Sequence, residues 1–355
     1  MILQYYIIPQ PKMTNVVLIT GGSGLVGNAI KAIVPEFGGE FTEKNTFIYI
    51  SSADYNLSVM NETEQMFIKY KPDYVIHLAA CVGGLYKNMN NKVEMLEQNL
   101  TINYNMVHCA HKFKVKKMVA FLSTCIFPDK TTYPIDETML HNGPPHFSND
   151  AYAYAKRMLE IHCRMYRENY GDNFVCVIPT NIYGHHDNFD LEDGHVLPAL
   201  IHKCFLAKQE NVDFIVRGSG KPMRQFIYSD DLARLVLAIL FGASRLPKVS
   251  VGERPNSGTL VKEFDNGQKI TDTIILSVSE ADEVSIGDVA RKIANCFDYG
   301  DRIRFDESFS DGQYKKTASN QLLVQKFPDF RFTDIDVGIA ETVKWFLQNQ
   351  DIVRK

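Results

Sequence analysis

The chain has 355 residues, 45% of them hydrophobic and 23% charged, with a formal net charge of −4. That composition supplies a large buried core and excludes the basic field with which nucleic-acid binders attract phosphate. The seven cysteines are odd in number and include no C-x-x-C pair, so neither a disulfide framework nor a zinc site is expected, and no other metal is implied.

The opening MILQYYIIPQPK is too short to span a membrane and lacks the basic start and cleavage site of a secretion signal. Residues 1–13 read as a tail, with Met13 as an alternative start, and the expected location is cytoplasmic, with no membrane partner. From Asn15 onward, short β-branched runs alternate with longer helical patterns. Strands are predicted at Val16–Thr20, Phe47–Ile50, Tyr74–His77, Lys117–Leu122 and Phe174–Ile178, each apolar on successive residues as a strand covered on both faces must be. Helical patterns occupy Leu25–Val34, Asn61–Tyr70, Asn90–Phe113 and Tyr152–Asn169. This alternation predicts an α/β fold: a doubly wound, parallel Rossmann-type sheet across residues 14–180. Residues 181–355 are more loop-rich and read as a smaller α/β substrate-binding lobe. Within them, 226–242 is expected to pack back on the first domain, and the polar 243–271 reads as an exposed insertion.

The first strand runs into Gly21-Gly22-Ser23-Gly24-Leu25-Val26-Gly27, a G-x-x-G-x-x-G loop that opens a helix. Glycines there permit a tight turn and close approach of backbone amides to a pyrophosphate, which the helix N-terminus favours. The second strand ends Ser51-Ser52, without the carboxylate that would repel a 2′-phosphate, although Asp54 follows closely. That ending favours NADP over NAD.

Tyr152 and Lys156 stand four apart on a helix, hence on one face. An ammonium beside a phenol is expected to lower its pKa and fit it for proton transfer. Ser123 lies at the end of the fourth strand, the edge where open sheets bind ligands. A serine in that position is ordinarily a cap; in company with Tyr152 and Lys156 it completes a Ser-Tyr-Lys trio.

With those residues in place, the chain resembles the extended short-chain dehydrogenase/reductases, and within them the GDP-L-fucose synthases. The resemblance rests on LSTCIFPDKTTYPIDETMLHNGPPH, YAYAKRM, IPTNIYGHHDNFDLEDGHVLPALIHK, HLAACVGG, GSGKPMRQFIYSDDLA and SDGQYKKTASN, and it spans Val16 to about Phe346. It implies an NADPH-dependent enzyme that epimerises a GDP-linked 4-keto-6-deoxy-mannose at carbons 3 and 5 and reduces carbon 4. Cys125 and His195 would be the acid/base pair, while Ser123 and Tyr152 hold the carbon-4 oxygen. Positions implied for NADP(H) are the 21–27 loop, Ser51, Ser52, Asp54, Leu57, Ala79, Leu122, Thr124, Lys156, Pro179, Thr180, Asn181, Ile182 and His195. Lys203, Arg217, Arg224 and Asp311 would hold the GDP-sugar, Arg217 standing where relatives commonly carry an aromatic.

His185 and His186 are read as structural or cleft-lining. A homodimer joined through the helices 90–113 and 152–169 is implied as well. Two rivals differ in chemistry: a sugar 4-epimerase or 4,6-dehydratase on the same scaffold, and an inert NADP-binding protein. Dehydratases of this type carry Asp-Glu after the threonine, whereas Thr124 is followed by Cys125-Ile126. The inert reading is disfavoured by retention of the whole trio.

Overall fold

Successive apolar residues in each strand point alternately to the two faces of a sheet, so both faces require cover. A computed structural model describes residues 14–242, 273–309, 311 and 314–354 of the chain; the expected tail 1–13 and insertion 243–271 lie outside them. Five strands, β1 (Asn15–Thr20), β2 (Asn45–Ile50), β3 (Tyr74–His77), β4 (Lys117–Phe121) and β5 (Phe174–Pro179), are joined by a sixth at Ile274–Leu276. All pair in parallel, in the order β2-β1-β3-β4-β5 followed by the sixth strand. The expected alternation is literal. Val17, Ile19, Val119 and Val177 pack with the helices Leu25–Ile33 and Ser229–Phe241, while Leu18, Met118, Ala120 and Cys176 pack with Met60–Tyr70, Lys92–Lys112 and Asp150–Tyr170.

The chain reverses direction across the sheet between β1 and β3, the switch point where open α/β sheets bind ligands. A buried polar chain ties that point together. His77 Nε2 lies 3.0 Å from Asn103 Oδ1, its Nδ1 2.9 Å from Thr20 Oγ1, and Ala79 N donates to the same hydroxyl. Burial holds the imidazole neutral, pushing its pKa down to about 3.

One sequence expectation is corrected, and two features add to the sequence reading. The pattern at Asn90–Phe113 is two helices, Leu85–Asn90 and Lys92–Lys112, broken at Asn91, which leaves the helical region at ψ 42. The sixth strand has three residues, too few to register as a period. Besides the expected 226–242, later segments also pack into the first core. A third core, built from Tyr183, Phe189, Leu200, Ile293 and Phe346, belongs to the second lobe, yet 229–241, 274–276, Leu323 and Phe327 return to the first. Lys117, at the start of β4, donates to the Ile239 carbonyl and fastens the returning helix to the sheet.

Gln225 is buried where these segments meet. Its Nε2 donates to the carbonyls of Val278 at 3.0 Å, Ser279 at 3.2 Å and Ala318 at 3.0 Å, and its Oε1 accepts from Ala318 N at 2.7 Å. Replacement by leucine strands these backbone groups out of water, a loss of about 2–4 kcal/mol. The expected result for Gln225→Leu is a thermal midpoint lower by roughly 5 °C in differential scanning fluorimetry; an unshifted midpoint refutes the assignment.

Candidate active site

The glycine loop joins β1 to the helix Leu25–Ile33 at the switch point. Gly21 adopts φ +70, and a Cβ there would lie 3.0 Å from Ala79 N. At Gly22 a Cβ would stand 2.7 Å from Tyr49 Cβ, and at Gly27 it would come within 2.5 Å of the Gly22 carbonyl oxygen. The ends of β1, β2 and β3 therefore meet with no room for side chains, leaving a backbone cradle that suits a pyrophosphate.

Other positions expected to hold a dinucleotide follow the same sheet edge. At the end of β2, Asp54 Oδ2 accepts from Ser51 N at 2.8 Å and Ser51 Oγ at 2.7 Å, and these bonds hold its carboxyl below the usual range. The acid is thus turned onto the backbone of its own loop. Leu57 and Leu122 are buried. Thr180 donates its N–H to Leu276 O, while its buried hydroxyl has no partner among the described residues. An orphaned hydroxyl on a sheet edge is consistent with a ligand there.

One helix, Asp150–Tyr170, organises the reactive groups. Lys156 Nζ donates to the carbonyl of Phe121, the last residue of β4, at 2.8 Å. Arg157 Nε donates to Ile126 O at 2.5 Å, on the far side of the short turn Thr124–Ile126. Adjacent side chains thereby grip both ends of the segment that bears Ser123 and Cys125. Ser123 caps that turn, its Oγ accepting from Cys125 N at 3.4 Å. Lys156 Nζ stands 5.7 Å from the centre of the Tyr152 ring, while Tyr154 faces outward.

Electrostatics in this pocket correct one expectation. Burial pushes the Tyr152 phenol well up, with the Cys125 and Cys81 thiols adding to it, and pulls Lys156 down to about 8. Low dielectric disfavours each charged form, and it outweighs the neighbouring ammonium. Cys125 is likewise raised by burial, opposed by Lys316, the Ser123 hydroxyl and Lys156.

Between the lobes lies a cavity of ≈ 670 Å³. The first lobe contributes Cys125 and residues beyond it; the second contributes Asn181, Arg217, Arg224, Asp311 and Lys316. Three of the four residues expected at a nucleotide-sugar site are thus brought together with the thiol. Lys203, the fourth, is half-buried behind them, pulled down by burial and by Arg217. Arg217 lies 3.4 Å from Glu192 and over the Phe309 ring at 4.9 Å. Asp311 is differently engaged from expectation, accepting from Ser219 N at 2.8 Å and Ser219 Oγ at 2.5 Å, so it shapes the Gly218–Gly220 turn.

His195 is not on the cavity wall. It is exposed at the start of the helix Val196–Glu210, in the loop whose Glu192 meets Arg217. Near it lies Asp187, a buried carboxyl pushed up to about 6 chiefly by burial, one oxygen of which is unpartnered among the described residues. His185 stacks on Trp345 at 5.9 Å, and His186 packs against the same indole at 4.5 Å with its ring tilted. Two contributors escaped the sequence reading, Arg157 and Lys316. Lys316 was visible only as one of two adjacent lysines, and Lys315 pairs outward toward Glu283. No group of three or more metal-ligating side chains occurs among the described residues.

Known proteins resemble this chain along nearly its whole length. The NAD dependent epimerase/dehydratase family matches residues 17–251. A GDP-L-fucose synthase of Dictyostelium discoideum is 49% identical, over 96% of this chain and 97% of that protein. The GDP-L-fucose synthase of Escherichia coli is 31% identical, over 95% and 98%. A crystal structure of a GDP-L-fucose synthetase from Naegleria fowleri bound to NADP superposes with a TM-score of 0.83 at 43% identity, covering 97% of this chain and 98% of that one.

Gly22→Ala tests the cradle. The added methyl must push the glycine loop off β2, which costs about 1–3 kcal/mol. Dinucleotide affinity is expected to fall about tenfold or more by isothermal titration calorimetry, with the circular dichroism spectrum retained. Unchanged affinity would remove the loop from the binding site.

Proposed function

The chain belongs to the NAD dependent epimerase/dehydratase family, and from that premise we propose that Cys125, His195, Ser123, Tyr152 and Lys156 carry out the conversion of GDP-4-keto-6-deoxy-D-mannose to GDP-L-fucose. It is an NADP(H)-dependent oxidoreductase with epimerase activity on this nucleotide sugar. The observation that carries the reading is the Cys125 thiol, in one cavity with Arg217, Arg224 and Lys316 and gripped beside Ser123 and Tyr152. A dehydratase places carboxylates where this chain has a thiol.

The chemistry follows from the ketone at carbon 4, which acidifies the protons on carbons 3 and 5. Their exchange requires a base, an acid and donors to the developing enediolate oxygen. A thiol, with an unperturbed pKa of ~8.5, moves a proton in either direction near neutrality. Burial raises the Cys125 thiol and favours its neutral form, opposed by Lys316, Ser123 and Lys156, so the resting thiol is placed to donate, and Lys316 and Lys156 ease its return from the thiolate. His195 serves as its partner on the family resemblance. Ser123 and Tyr152 hold the carbon-4 oxygen, and Tyr152, kept protonated by burial, carries the final proton. Bound NADPH supplies hydride. Lys203, Arg217 and Arg224 receive the diphosphate as cations, and Asp311 keeps the adjoining turn in place. The NADP-binding unit is read as residues 14–180 with 226–242, the remainder serving the sugar nucleotide.

Incubation with GDP-4-keto-6-deoxy-D-mannose and NADPH is expected to yield GDP-L-fucose with stoichiometric NADPH oxidation, identified by NMR. A product of unaltered configuration, or turnover without net oxidation, points instead to a simple reductase or a 4-epimerase. Cys125→Ala and His195→Ala are each expected to lower product formation about 100-fold or more with NADPH affinity retained. Near-normal synthesis by either variant removes that residue from the mechanism.

A homodimer is supported by an apolar groove of ≈ 300 Å³ along the helices Lys92–Lys112 and Asp150–Tyr170, lined by Leu100, Tyr104, Met158, Ile161 and Met165. Tyr104 and Met158 are about half exposed there, at 52% and 49%. Contiguous exposed apolar surface of this kind marks an association face. The free thiols of the described cysteines support a cytoplasmic location. Met158→Glu is expected to convert the dimer to monomer by light scattering; a persistent dimer moves the interface elsewhere.

A further inference from the structure

The cavity has a wall that none of these steps uses. Beyond Cys125, Asp129 Oδ1 and His146 Nε2 stand 4.0 Å apart, both residues lining the cavity. The backbone N–H of Ser148 donates to His146 Nδ1 at 3.2 Å, and the Ser148 hydroxyl lies 2.8 Å from the same nitrogen. A backbone amide can only donate, so Nδ1 is an acceptor and the neutral imidazole carries its proton on Nε2, toward Asp129. A separation of 4.0 Å is too long for a direct hydrogen bond. A donor and an acceptor therefore flank a gap. One hydroxyl fits it, accepting from Nε2–H while donating to the carboxylate.

This wall is held in place from both sides. Asp129 N donates to Pro144 O at 3.0 Å, and Lys92 Nζ reaches Phe147 O at 2.7 Å and Asp150 at 2.8 Å, fastening the 146–150 segment to the neighbouring helix. Charge then orients an occupant. Arg217 and Arg224 come from the second lobe and attract a diphosphate, while Lys316 acts on both Cys125 and Asp129 nearer the first-lobe wall, where the Asp129 carboxylate repels one. What remains for the first-lobe wall next to Cys125 is a neutral polyol. Resting on the function proposed above, we propose that Asp129 and His146 together bind a ring hydroxyl of the hexose and so determine which sugar, in which orientation, is presented to Cys125.

The test compares Asp129→Ala, His146→Ala and His146→Gln with the wild-type enzyme. Both alanine variants are expected to lower kcat/KM for GDP-4-keto-6-deoxy-D-mannose about tenfold or more, with Kd for GDP alone, by calorimetry, within about twofold of wild type. His146→Gln, which keeps an N–H donor near the place of Nε2, recovers part of the loss. Equal weakening of GDP binding overturns the proposal and assigns the pair to the nucleotide. Unchanged kcat/KM in the alanine variants, or a glutamine variant no better than alanine, overturns it as well. A wild-type enzyme inert toward the keto sugar defeats the function reading and this proposal with it, whereas active wild type with indifferent variants defeats this proposal alone.

Discussion

A lysine ammonium drawn out of water onto a single backbone carbonyl is the constraint on which this site depends. Lys156 meets the Phe121 carbonyl at the end of β4, and the groups acting on its charge are thiols rather than carboxylates. A buried cation without a counter-ion is tolerated only where its hydrogen bond is short and its surroundings rigid. The adjacent Arg157 adds the second hold, on Ile126. Between them these bonds set the helix Asp150–Tyr170 in register with the sheet edge, and they bring Tyr152, Ser123 and Cys125 into one neighbourhood.

A second constraint is like-charge repulsion across the cavity. Burial chiefly lowers the pKa of Lys203 and of Lys316, and Arg217 and Arg224 respectively add to it. Cations gathered from separate stretches of chain repel one another until an anion lies between them. Such an arrangement suits an anion such as a diphosphate better than a neutral sugar. On the proposal above, the neutral half is then left for side chains that discriminate by hydrogen bonding.

Much of this was legible in the residues. Continuous apolar strands announced a sheet covered on both faces, and the core divides between those faces residue by residue. The glycine spacing announced a cradle, and a Cβ at Gly22 or Gly27 does collide with backbone or strand. The four-residue interval between Tyr152 and Lys156 placed them on one face. Less legible was anything contingent on how distant segments close. The strand Ile274–Leu276 is defined by its pairing with β5 and has too few residues to show a pattern. Lys316 cannot be told from Lys315 until the chain direction through 314–318 is known. Nor could the sequence reveal that His146 lines the cavity while His195 stands outside its wall.

The sequence by itself determined the fold class, the tight glycine turn and the placing of Tyr152 and Lys156 on one helix face, because each is encoded in spacings of a few residues that local geometry converts directly into position. Only the tertiary structure decided the electrostatic character of the site. Proximity of Lys156 alone suggested an acidified phenol, yet burial raises Tyr152 and lowers Lys156, since solvation is a property of everything packed around a group and not of its neighbours in the chain.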